Sequence, residues 1–66
     1  MDYYCITTTY QTDKPVTAEL TGSRYGLSHR PIGCHKCYSD KDTYEDWYTA
    51  AEIRRNFPDI AKKYAF

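Results

Sequence analysis

The chain has 66 residues, with nine Lys and Arg against nine Asp and Glu, 41% hydrophobic residues and 27% charged ones. No apolar run approaches the roughly 18 residues of a membrane-crossing helix, and Met1-Asp2-Tyr3-Tyr4-Cys5 lacks the basic and apolar regions of a secretory signal. A formal net charge of zero is a poor basis for neutralising a run of phosphates, so non-specific nucleic-acid binding is disfavoured.

This length predicts one small domain over residues 1–66, near the lower limit at which a hydrophobic core offsets a conformational entropy of about 1.5 kcal/mol per ordered residue. A staple would help. Three cysteines are an odd set for a secreted disulfide scaffold, and with no leader in view the expectation is a chain that keeps its thiols reduced in the cytoplasm.

Tyr3 to Gln11 is dense in Tyr, Thr and Ile, and Pro15 to Thr21 alternates Val16, Ala18 and Leu20 with Thr17, Glu19 and Thr21. Both segments read as strands of a β-hairpin turned by Thr12-Asp13-Lys14. Period-2 alternation puts Tyr4, Ile6, Thr8 and Tyr10 on the Val16/Ala18/Leu20 face and Cys5 on the other, with Tyr3 and Thr7. Gly22 to Asp42 has no convincing periodicity and contains Gly22, Gly26, Pro31 and Gly33. So long a loop is unusual in so small a domain, and something should order it.

Tyr44 to Tyr48 fits a third strand, although Tyr44, Trp47, Tyr48 and Ala51 also match helical spacing. Thr49-Ala50-Ala51-Glu52 has the form of a capping box, and apolar residues then recur at Ile53, Phe57, Ile60, Ala61 and Tyr64. Pro58 predicts a kink or break in that helix. Asp40, Asp42, Glu45 and Asp46 form an acidic segment and Arg54, Arg55, Lys62 and Lys63 a basic one, a segregation that solvated faces produce routinely. The expected fold is α+β: an antiparallel hairpin or three-stranded sheet packed on a C-terminal helix, stapled by one zinc ion.

The zinc expectation rests on Cys34-His35-Lys36-Cys37, a C-x2-C pair preceded by Gly33. In a tight turn that spacing points two sulfurs at one ion, and a tetrahedral structural site needs two further N or S donors. Cys5 and His29 are the candidates, giving a Cys5, His29, Cys34, Cys37 site, with His35 the competitor for the fourth place. Such a site would contribute folding free energy on the order of 10 kcal/mol, by analogy with zinc-finger peptides.

The other readings of the pair are weaker. A redox dithiol needs its first cysteine at a helix N-terminus, whereas Tyr38-Ser39-Asp40-Lys41-Asp42 has loop composition, and haem attachment needs His where Tyr38 stands. Phosphate-binding, nucleophile-elbow and metalloprotease motifs are absent, so no enzymatic activity is expected.

Eight tyrosines, Trp47, Phe57 and Phe66 make 17% aromatic residues, more than so small a core holds. Exposed aromatics anchor protein interfaces, and Tyr3, Tyr25 and Tyr38, with Arg24, Arg30 and Lys36, are the candidate partner-binding residues. In size, neutrality and lack of catalytic motifs the chain resembles the small accessory proteins of phages and mobile elements, a likeness of type that covers no motif. That resemblance implies a non-enzymatic module that binds and inhibits or modulates a host protein. The runner-up is a zinc-ribbon-like nucleic-acid binder using the same basic residues and tyrosines. Thiol redox or metal transfer at Cys34 and Cys37 is the third reading.

Overall fold

In a computed structural model describing residues 1–66, β1 (Tyr3–Gln11) and β2 (Thr17–Arg24) form the expected antiparallel hairpin. Lys14 N donates to Gln11 O across the turn at 3.3 Å. Asp13 takes a positive φ of 62°, a conformation its short polar side chain tolerates. Ile6 lies opposite Leu20 and Thr8 opposite Ala18, as alternation requires. Between Cys5 and Ile6 the register slips, so that Thr21 is an extra residue and Cys5 comes to face Gly22.

β4 (Lys41–Tyr48) pairs with β1 along its length, from Gln11 opposite Lys41 to Tyr4 opposite Tyr48. This is the expected third strand, three residues longer at its start. A fourth strand, β3 (Cys34–Cys37), corrects both the three-stranded expectation and the tight turn assigned to the C-x2-C pair. The sheet order is β2-β1-β4-β3, all neighbours antiparallel. Two local features put β3 there. Tyr38 N donates to Lys41 O at 2.8 Å, closing a tight connection through Ser39 and Asp40. Gly33 approaches β4 so closely that a Cβ would collide with the Glu45 carbonyl and the Asp46 side chain.

The irregular stretch thus shrinks to residues 25–33, and its first half is ordered by contacts with the N-terminal segment. Leu27 N donates to Met1 O at 2.8 Å, Met1 N donates to Leu27 O at 2.6 Å, and Gly26 N donates to Asp2 Oδ1 at 2.9 Å.

α1 (Ala50–Asn56) begins at the expected capping box, with Glu52 N donating to Thr49 Oγ1 at 3.3 Å and Thr49 N donating to Glu52 Oε1 at 3.0 Å. The helical path breaks at Phe57, and Pro58 opens α2 (Pro58–Lys63) in the first helical turn, where its missing N–H costs nothing. The core lies between the helices and one face of the sheet. Ile6, Ile53, Ile60 and Ala61 are buried there, flanked by Tyr4, Leu20, Tyr48 and Phe66.

Helix and strand lengths fix how far that core extends. Nine residues of β1 at about 3.3 Å each reach ~30 Å, whereas seven residues of α1 at 1.5 Å reach ~10 Å and α2 is shorter still. The helices cover one end of the face and leave the other open.

Candidate functional site

The four expected zinc donors are not gathered at one point. Cys34 lies opposite Glu45 and Cys37 opposite Asp42, and an odd spacing in a strand sends the two sulfurs to opposite faces of the sheet. Cys5 is buried on the rear face, away from the helices, between Gly22 and Trp47. It shares that face with Cys34, but β4 stands between their strands. Two inter-strand spacings make a separation of ~10 Å, against zinc–sulfur bonds of about 2.3 Å. No group of three or more His, Cys, Asp or Glu side chains is close enough together to hold a metal ion, His29 included. His35 stacks on Tyr44, with ring centroids 4.1 Å apart. All three cysteines are free thiols. The Asp42 carboxylate, as acceptor and as neighbouring negative charge, pushes the Cys37 thiol up, the opposite of what a reactive thiolate needs.

The expected partner-binding residues also divide. Tyr3 was expected to be exposed on the rear face; it is on that face but only 7% exposed, because the Arg30 guanidinium lies over its ring at 5.3 Å. Arg30 Nη1 donates to Trp47 O at 2.7 Å, and Nη2 pairs with Glu52 Oε1 at 2.8 Å. The loop that carries Arg30 is thereby strapped to the cap of α1. The Thr49 amide and then Arg30 hold the Glu52 carboxyl below its usual range, and the same pairing raises Arg30. Arg24 lies over Trp47 at 5.3 Å, and Lys41 over Tyr38 at 5.6 Å. Tyr25 meets Tyr4 edge to face at a centroid distance of 6.2 Å. Lys36 stands on the rear face of β3, opposite Thr43. These six residues do not form one patch.

A different surface does. Where the helices stop, the face they leave open forms a groove of about 650 Å³ lined by Thr8, Tyr10, Val16, Ala18, Asp42, Tyr44, Asp46, Tyr48 and Phe57. Its floor follows from register: Thr8 lies opposite Ala18 and Tyr44, and Tyr10 opposite Asp42, so all share one face. Tyr10 packs edge to face on Tyr44 at 5.5 Å, and Tyr48 on Phe57 at 5.1 Å, giving the groove two aromatic pairs. Val16 is 57% exposed at its rim. Burial, then the nearby Asp46 charge, pushes the Tyr48 phenol up.

No family model, curated protein or solved structure matches this chain. The groove's chemistry must therefore be argued from the groove itself.

Alternation in the sequence puts Tyr10 and Thr8 on the Val16/Ala18/Leu20 face, but does not show how much of that face the helices cover. The missed signal is the alternation Asp42, Tyr44, Asp46, Tyr48, which sets two carboxylates among aromatics on one face once residues 41–48 are a strand.

Proposed function

We propose that this chain is a non-enzymatic protein-binding module that engages its partner through the open groove. The observation that carries this reading is the pair of exposed tyrosines, Tyr10 and Tyr44, held edge to face on a rigid sheet beside exposed Val16. Aromatic side chains fixed before binding offer large contact area with little rotamer entropy left to lose, which is the character of an interface anchor. A groove of a few hundred Å³ bounded by a helix end suits an inserted side chain or short segment better than a flat docking face. A small module of this kind acts by occupying its partner's surface, in keeping with an accessory protein that inhibits or modulates a host protein.

The reading needs neither zinc nor nucleic acid. Of Arg24, Arg30 and Lys36, the basic residues expected to stack on bases, the two arginines are engaged with Trp47, Tyr3 and Glu52, and Lys36 is exposed on the short edge strand.

Site-specific photo-cross-linking in the native cells tests the proposal. With p-benzoylphenylalanine replacing Tyr44, irradiation is expected to give one discrete protein adduct, and the same group replacing Glu19 on the rear face is expected to give none. The same pattern at both positions, or no adduct at position 44, overturns the reading. An adduct removed by nuclease promotes the nucleic-acid alternative.

A further inference from the structure

We propose that the groove receives an arginine side chain of the partner protein, its guanidinium lying among the groove's aromatic rings and paired with Asp46. The proposal rests on the protein-binding reading and adds the chemistry of the partner.

It comes from a contrast in how this chain treats its aromatic rings. Outside the groove, Tyr25 and Phe66 pack edge to face on Tyr4, and the other four rings, Tyr3, Trp47, Tyr38 and Tyr64, carry a cation of the chain's own: Arg30, Arg24, Lys41 and Lys63, at 5.3 to 5.6 Å. No Lys or Arg lines the groove: Tyr44 has the His35 imidazole stacked on it with centroids 4.1 Å apart, and the other groove rings make ring-to-ring contacts, Tyr10 with Tyr44 and Tyr48 with Phe57. Asp42 and Asp46 face into the groove; Asp42 has His35 Nε2 at 3.9 Å from its Oδ1 as an ion-pair partner when the imidazole is charged, whereas Asp46 is exposed and has none.

A ring face is the negative pole of its quadrupole and attracts a cation, and a carboxylate at the same place adds a full charge. Asp46 thus stands in a groove of aromatic rings with no cation of the chain's own to pair with. Arginine fits better than lysine because its planar guanidinium stacks on a ring while its N–H groups reach a carboxylate in two parallel bonds; an ammonium does only the second, and as a point charge. Protein interfaces are enriched in arginine for the same reason.

The probe is the acetylated, amidated peptide Gly-Arg-Gly-Arg-Gly, compared with the same peptide carrying citrulline, which keeps the side-chain shape and removes the charge. Binding is read from the tyrosine ring resonances in NMR titrations of the intact chain. The arginine peptide is expected to shift Tyr10 and Tyr44, with an affinity that falls as salt rises. The citrulline peptide and the Asp46→Asn variant are each expected to bind about tenfold more weakly, the loss of one charge-assisted hydrogen bond at a partly exposed site.

Asp46→Asn places no new bulk in the core. Tyr10→Leu, which keeps apolar contact and removes the ring, is a second variant expected to weaken the arginine peptide. Equal binding of the two peptides, unchanged binding by Asp46→Asn, or no shift at millimolar arginine peptide overturns the proposal. If Tyr44 still cross-links a partner protein in that event, only the arginine fails; if the cross-link is absent too, the protein-binding reading falls with it.

Discussion

The two ends of the sheet's helix-side face are built from the same strands and finished differently. Near Tyr4 and Ile6 the face is roofed by α1 and α2, and Ile53 has no exposure at all. Near Thr8 and Tyr10, one or two strand pairs away, the same alternation continues with no roof, and aromatic and acidic side chains stand there beside Thr8, Val16 and Ala18. The roofed end is assembled around the buried aliphatic groups Ile6, Ile53, Ile60 and Ala61, with Tyr4, Tyr48 and Phe66 packed against them. The open end carries groups that hold their place by edge-to-face contact while keeping a phenol or a carboxylate in water. A chain of 66 residues thus divides one sheet face into a part covered by helices and a part left open.

The largest effect that should separate the two ends is on stability. Ile53→Ala removes buried methyl groups under the helices and is expected to cost ~2–5 kcal/mol, enough to unfold much of so small a chain. Tyr44→Ala at the open end is expected to cost less, ~1–2 kcal/mol, from two ring contacts on a partly exposed side chain. Urea denaturation of both variants checks this, and similar losses would mean that the open end is core after all.

A smaller effect should mark the strap that fixes the roofed end. Glu52 is held below its ordinary value of about 4.3 by the Thr49 amide and Arg30. Its contribution to stability is therefore present above that ordinary value and is lost as pH falls through the lowered native one. Glu52→Gln is expected to flatten the acid limb of a stability-versus-pH curve measured by thermal melting. An unchanged limb would show that the Arg30–Glu52 pair does not hold the loop.

The smallest expected effect is none. With Cys34 and Cys37 on opposite faces, saturating zinc or a chelator should leave the melting temperature where it is. A rise of many degrees with one zinc per chain would mean that β3 leaves the sheet to form the turn expected from sequence.

Most of the scaffold was legible. Ile6, Ala18 and Leu20 announced their face by alternation, Thr49 and Glu52 announced the helix start by side-chain chemistry, and Pro58 announced the break. β3 was not, for a physical reason. Cys34-His35-Lys36-Cys37 is exposed throughout and shows no apolar alternation, because a short edge strand has little to bury. Its C-x2-C spacing suits a chelating turn and an extended strand equally, and the pairing partner that decides between them is β4. The burial of Tyr3 was hidden as well, since it depends on Arg30 arriving from a distant loop. The groove lay a step further off: it required setting helix length against strand length, not reading any motif.

Trp47, the chain's one tryptophan, sits on the rear face under Arg24, with its carbonyl held by Arg30. Its indole is therefore placed to report the fold and stay silent about the groove. The tyrosines on the opposite side carry the complementary information. Excited selectively, the tryptophan follows unfolding in the presence of any groove ligand, so affinity and stability can be measured in one cuvette without a label.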